Sequence, residues 1–144
     1  MSELIRKSHN VSLLIYHAVF PIKYRKSIID RDQQGSIVKV CEKIEERYEI
    51  KFIEVGCDKN HVHFLLQSIP MYSPKQIVQI LKSIIGREMF RMHPEIRKDL
   101  WGGQYWTDGY FIGTVGQHSS EKVIKEYVKS QGLKETEYIQ LKLF

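Results

Sequence analysis

Two imidazoles two residues apart, His61 and His63, lie in the run His61-Val62-His63-Phe64-Leu65-Leu66. In a strand, alternate side chains share a face. Both rings therefore point the same way with their Cα atoms roughly 6–7 Å apart, while Val62, Phe64 and Leu66 turn toward a core. That arrangement is a rigid pair of nitrogen ligands for a metal ion. Two histidines on a half-exposed strand without any metal fit the same pattern. Two ligands do not complete a site, so the rest of the chain must supply a third ligand and a use for the ion.

A second group lies near the C-terminus, in Val123-Ile124-Lys125-Glu126-Tyr127-Val128-Lys129-Ser130-Gln131. At helical spacing Val123, Ile124, Tyr127, Val128 and Gln131 share one face, and Lys125, Glu126 and Lys129 lie away from it. Tyr127 and Gln131 are then one turn apart, roughly 6 Å of rise. A core tyrosine at the end of an apolar stripe is the competing explanation. A phenol oxygen can attack a phosphodiester and become covalently joined to a DNA end, storing the bond for later transfer. Its free pKa, near 10, makes it a weak nucleophile at neutral pH. A divalent ion on the scissile phosphate would neutralise charge and orient the bond. Two imidazoles and a carboxamide are neutral ligands that leave the ion's charge for the phosphate, so metal binding should be weak without DNA.

The elements that must position these groups follow from pattern. Asn10 to Phe20 reads as a strand ended by Pro21. Asp32 to Tyr48 carries Ile37, Val40, Cys41, Ile44 and Tyr48 at helical spacing. Ile50 to Cys57 and His61 to Gln67 read as strands joined through the turn Asp58-Lys59-Asn60. Ser73-Pro74 starts a helix with buried positions Ile77, Ile80, Leu81, Ile84, Ile85 and Met89. Residues 92–109 are irregular and aromatic, Tyr110 to Gly116 is a fourth strand, and Ser119 or Ser120 caps a last helix to about Gln131, with Gly132 beyond it. The order matches a ferredoxin-like split βαβ plan, an α+β fold with an antiparallel sheet, both long helices on one face and an extra C-terminal helix. His61, His63 and Gln67 would occupy the other face, which the terminal helix or a partner chain remains to cover.

Composition narrows the class. The 144 residues suit a single domain, 1–144, with a real core. No apolar stretch reaches the roughly 18–20 residues of a membrane span, the first residues lack an export signal, and a cytoplasmic, nucleoid-associated location is expected. Cys41 and Cys57 have no zinc or close-pair spacing and are expected as buried thiols. The net charge of +5 is compatible with a polyanionic partner without demanding one. His9, His17, His93 and His118 have no partner at metal spacing.

His61-Val62-His63 on a central strand, Tyr127 on a late helix, and Tyr105-Trp106-Thr107-Asp108-Gly109-Tyr110-Phe111-Ile112-Gly113-Thr114-Val115-Gly116 leading into the fourth strand together resemble the HUH-type single-tyrosine transposases of small bacterial and archaeal insertion sequences. The resemblance runs from about Val11 to Gln131. It implies an enzyme that binds single-stranded DNA with a hairpin at each element end. That enzyme cleaves with the tyrosine to leave a 5′-phosphotyrosine and a free 3′-hydroxyl, then joins ends to excise or insert a single-stranded circle. It implies magnesium or manganese (Mg2+ or Mn2+) held by two histidines and a polar residue one turn after the tyrosine. By position these are His61, His63 and Gln131, with Tyr127 as nucleophile. It also implies a homodimer whose active sites can combine the histidines of one subunit with the tyrosine helix of the other. Asn60 precedes the pair where many members have aspartate.

Further DNA contacts are expected from Lys75, Lys82, Arg87 and Arg91 on the second long helix, which could track phosphates, although a solvated helix face explains each alone. Trp101, Tyr105 and Trp106 could stack on unpaired bases or pack against the sheet edge. His118, just before the tyrosine helix, is the remaining histidine placed for a DNA role. Two rivals stand beside the transposase: a non-mobilising hairpin-binding or repeat-processing protein on the same scaffold, and a metal-binding protein unrelated to DNA.

Overall fold

A computed structural model describes residues 5–6, 11–116 and 138–140. Strands β1 (Ile5–Arg6) and β2 (Val11–Ser12) pair as a small antiparallel ribbon. The main sheet contains β3 (Leu14–Pro21), β4 (Lys51–Cys57), β5 (His61–Ser68), β6 (Phe111–Val115) and β7 (Tyr138–Gln140) in the spatial order β6-β3-β5-β4-β7, every pair antiparallel. Helices α1 (Arg31–Arg47) and α2 (Pro74–Met92) complete the split βαβ order expected from pattern. The extra C-terminal helix expected over Ser119 to Gln131 lies outside the described residues.

Both helices begin where side chains satisfy free backbone N–H groups. Asp30 accepts from the Gln33 N–H at 2.8 Å, and Ser73 and Gln76 form a reciprocal capping box with Pro74 in the first turn. Ile37, Val40, Cys41 and Ile44 of α1 and Ile77, Leu81, Ile85 and Met89 of α2 bury against Tyr16, Ala18, Phe20, Phe52, Val55, Val62, Phe64 and Leu66 of the sheet. The alternation in β5 is as expected: Val62, Phe64 and Leu66 join the helix-side core, and both cysteines are buried. The rings of Phe20, Phe52 and Phe64 meet at centroid separations of 5.2 and 5.9 Å.

Three features go beyond the pattern. The strand ends at Pro21 as read from sequence, but Pro21 itself still pairs with His61, and Ile22 bridges Trp106 beyond it. Proline lacks an N–H but keeps a carbonyl, and Pro21 accepts from the Thr107 N–H at 3.0 Å. On the face away from the helices His17, Glu54, His63 and Gln67 are all buried, and Ile15, Ile53 and Leu65 make a second small apolar cluster. A bulge between Phe52 and Glu54 shifts the β4 register beside that cluster. Finally, β7 adds a strand on β4 that nothing in its short sequence announced. Among the described residues no helix is long and apolar enough to cross a membrane.

Candidate metal and DNA site

His61 and His63 sit at the start of β5, an interior strand held by β3 on one side and β4 on the other. Val19 and Gly56 stand opposite His63, and Pro21 opposite His61. Their rings lie side by side, centroids 4.9 Å apart and planes at 64°. Burial differs sharply between them: the His63 residue is 3% exposed, while the His61 side chain keeps 23%. The paired imidazoles thus open onto a recess of about 300 Å³ lined by Val19, Pro21, Arg25, His61, His63 and Phe111.

Each ring has its Nδ1 occupied. His61 Nδ1 lies 2.6 Å from Asn60 Oδ1, and His63 Nδ1 lies 3.1 Å from His17 Nε2. His63 Nε2 is buried and has no hydrogen-bond partner among the described residues. Metal-ligating histidines commonly engage their second nitrogen in this way, which orients the ring. An orphaned buried nitrogen next to a second imidazole fits a divalent cation bound through both Nε2 atoms. Burial holds His63 down to about 3, helped by the neighbouring rings of His61 and His17 and opposed by Asp58, and burial alone holds His17 down to about 4. Both rings are therefore neutral at pH 7, the form a metal ligand needs. Among the described residues no three His, Cys, Asp or Glu groups converge as a complete metal set. The expected third ligand Gln131, the nucleophile Tyr127 and His118 lie outside the described residues.

His17 corrects the sequence reading, which left it without a partner. It lies on β3 two residues before Val19, the residue opposite His63, so strand alternation sends it to the same face. Only the β3–β5 register brings it there. The Phe111 ring meets His17 edge-on at 5.9 Å. Gly113 stands opposite His17 in β6, and a Cβ there would come within 3.1 Å of the Phe111 ring. Glycine therefore lets that ring lie close over the sheet.

The basic residues of α2 separate into distinct environments. A groove of about 790 Å³ runs between α2 and the 103–110 segment, and Lys75, Lys82, Arg87 and Arg97 line it over apolar Val78, Phe90 and Trp106. Arg97 was not singled out from sequence. Lys82 Nζ donates to the carbonyls of Thr107 at 2.6 Å and Asp108 at 3.3 Å and lies 5.2 Å from the Tyr110 ring, so it also straps α2 to that segment. Burial lowers its pKa from the usual lysine value, with Asp108 opposing and Lys23 assisting. Arg91 is not among the groove's lining residues and donates from Nε and Nη2 to the Glu88 carboxylate, at 3.2 and 2.9 Å.

The aromatic expectations divide. Trp101 is exposed, and its ring stacks on Tyr24 at 5.0 Å. Tyr105 and Trp106 are corrected: both are buried in the main core and not free to take bases from solution. Trp106 donates its indole N–H to the Lys82 carbonyl at 3.2 Å, and the Tyr105 hydroxyl donates to Gln33 Oε1 at 3.3 Å. Tyr24 and Arg25 take left-handed backbone angles, φ 60° and 50°, which is uncommon for residues with a Cβ. This turn sets Arg25 beside the two histidines and Tyr24 under Trp101. A lysine- and arginine-rich stretch does not disclose such a turn.

Comparison with known proteins places this geometry. Residues 10–131 match the family described as "Transposase IS200 like". The chain is 30% identical over 122 residues to the ISDra2 transposase TnpA of Deinococcus radiodurans, covering 85% of this chain and 86% of that protein. It is 25% identical over 116 residues to the transposase of insertion sequence element IS200 of Salmonella typhimurium, covering 81% and 75%. A crystal structure from Deinococcus radiodurans R1 has the same fold, with TM-score 0.71, 24% identity and coverage of 88% of this chain and 97% of that one. The structure of a REP-associated tyrosine transposase bound to a REP hairpin shares the fold at TM-score 0.55 and 10% identity, covering 89% and 68%.

Proposed function

The chain belongs to the IS200-like transposase family, and from that premise we propose a metal-dependent DNA strand transferase acting on single strands with hairpin-marked ends. The observation that carries the metal dependence is the pair of imidazoles sharing one face of an interior strand, with the buried His63 Nε2 unpartnered. His61 and His63 would hold Mg2+ or Mn2+, with Gln131 completing the protein ligands, and the bound ion would supply charge neutralisation and orientation of the scissile phosphate. Tyr127 Oη attacks phosphorus: the Oη–P bond forms and the P–O3′ bond breaks. The phenolic proton passes to solvent, and the departing 3′-oxygen takes up a proton to become a free hydroxyl. The phosphotyrosine left behind keeps a phosphodiester for transfer to another 3′-hydroxyl, the reverse of the same step.

Single-stranded DNA beside a hairpin is the substrate, acted on by a homodimer. Lys75, Arg87 and Arg97 supply phosphate contacts along the α2 groove, and Trp101 with Tyr24 offers an exposed aromatic platform for an unpaired base. The structural neighbour bound to a REP hairpin supports a hairpin as the partner.

The test is a covalent adduct between the protein and labelled hairpin DNA in Mg2+ or Mn2+. Tyr127→Phe is expected to abolish the adduct while DNA binding persists, and His61→Ala to lose cleavage through the metal. An adduct formed by Tyr127→Phe would remove Tyr127 as nucleophile, and undiminished cleavage in EDTA would remove the metal.

A further inference from the structure

His17 is buried on the same sheet face as the paired histidines, and no role has been attached to it. Its Nε2 lies 3.1 Å from His63 Nδ1, and the two ring planes are within 17° of each other. The ring centres are 5.4 Å apart, which is the N···N separation plus one ring radius at each end. The two nitrogens thus lie on the line between the rings, and the contact is an in-plane hydrogen bond rather than face-to-face stacking. An in-plane approach is what a ring N–H aimed at an imidazole lone pair requires.

One nitrogen of that contact must carry the hydrogen, and the choice decides what His63 presents on its other side. If His17 donates, His63 holds its own hydrogen on Nε2. That N–H would leave Nε2 no lone pair to offer a cation. If His63 donates from Nδ1, its Nε2 carries a bare lone pair, on a ring that lines the recess it shares with His61.

We propose that His17 is a positioning residue: it accepts the His63 Nδ1–H and thereby holds His63 in the one tautomer whose Nε2 can ligate a cation. His61 gets the same service from Asn60 Oδ1, next to it in the chain and only part-buried. His17 does so across strands, 46 residues away in a buried contact, where water does not compete. This assignment presupposes the two-histidine cation site proposed above, and its first readout needs no metal.

Nitrogen-15 NMR of the histidine rings in the full-length, metal-free protein reports which nitrogen is protonated. His63 is expected with hydrogen on Nδ1 and none on Nε2. In His17→Leu the preference should be lost, and in His17→Gln, whose amide oxygen can accept in place of Nε2, it should be restored. Mn2+ affinity, followed by electron paramagnetic resonance with the Tyr127→Phe background bound to hairpin DNA, should fall about 10- to 100-fold in His17→Leu and recover in His17→Gln. A wild-type His63 protonated on Nε2 overturns the assignment. So does a folded His17→Leu protein with unchanged tautomer and unchanged Mn2+ affinity. The expected tautomer pattern in proteins that never bind Mn2+ would support the hydrogen-bond assignment and count instead against the metal site itself.

Discussion

Individual side chains on the non-helical face of the sheet carry an electrostatic consequence. Burial holds His17 and His63 down to about 4 and about 3, against 6.5 for a free imidazole. The unfolded chain therefore binds protons that the folded chain refuses. The stability these rings contribute is full above about pH 6.5, falls as pH drops, and is lost once pH has passed below the two folded values. Melting followed in EDTA from about pH 7.5 to about pH 4.5 should show Tm descending with pH, and less steeply in His17→Gln. A flat profile for the wild type would contradict two neutral buried rings. Sequence context left Trp106 and Tyr105 open to base stacking or to packing on the sheet edge, and packing prevails, the indole and phenol each finding a hydrogen-bond partner within the fold. Burial pushes the Tyr105 phenol up, in keeping with its place in the core.

At the scale of elements, the helices were legible because capping and apolar spacing are local signals. The α1 and α2 boundaries fall within a residue or two of those read from pattern. Gly35 lies in α1, exposed, with nothing within 4 Å of where a Cβ would stand. Gly35→Ala is expected to raise stability by about 1 kcal/mol, read as an increase in Tm or in the denaturant midpoint at unchanged m. Loss of stability there would mean the glycine serves a contact or a conformation outside the helix. Ser73→Ala removes one half of the capping box and should cost about 1 kcal/mol. The His93 ring anchors the end of α2 to α1 through Ser36 at 2.8 Å, a tie between helices that spacing within either helix does not reveal. Strand β7 went unread for a related reason: three residues pair with β4 by backbone hydrogen bonds, and their place at the sheet edge depends on where the chain returns in space.

Over the whole molecule, one sheet has a helix-covered face that holds the main core and an opposite face that holds the paired histidines. The basic groove flanks α2, separate from the histidine recess. Binding of hairpin DNA measured against salt should therefore respond to the groove without involving the metal. Arg87→Ala or Arg97→Ala should each weaken binding and reduce the log–log salt slope by about 0.7–0.9. Arg91→Ala, whose guanidinium is already spent on Glu88, should change it less. Unchanged slopes for Arg87 and Arg97 would move the DNA path elsewhere. If the homodimer combines histidines from one subunit with the tyrosine helix of the other, mixing inactive Tyr127→Phe with inactive His61→Ala should restore adduct formation. Mixtures that stay inactive after subunit exchange would place each site within one chain.

The sequence alone determined the order of the two long helices and the four main strands, the sheet-and-helix class and the shared direction of His61 and His63, because each depends on a repeat of two or 3.6 residues along the chain. Tertiary structure decided which residues distant in the chain would touch: His17 behind His63, 46 residues away, and Trp106 under Lys82, 24 residues away. Those neighbours are set by strand register and by the packing of helix on sheet, which arise from the summed burial of the core and leave no mark at fixed spacing in the chain.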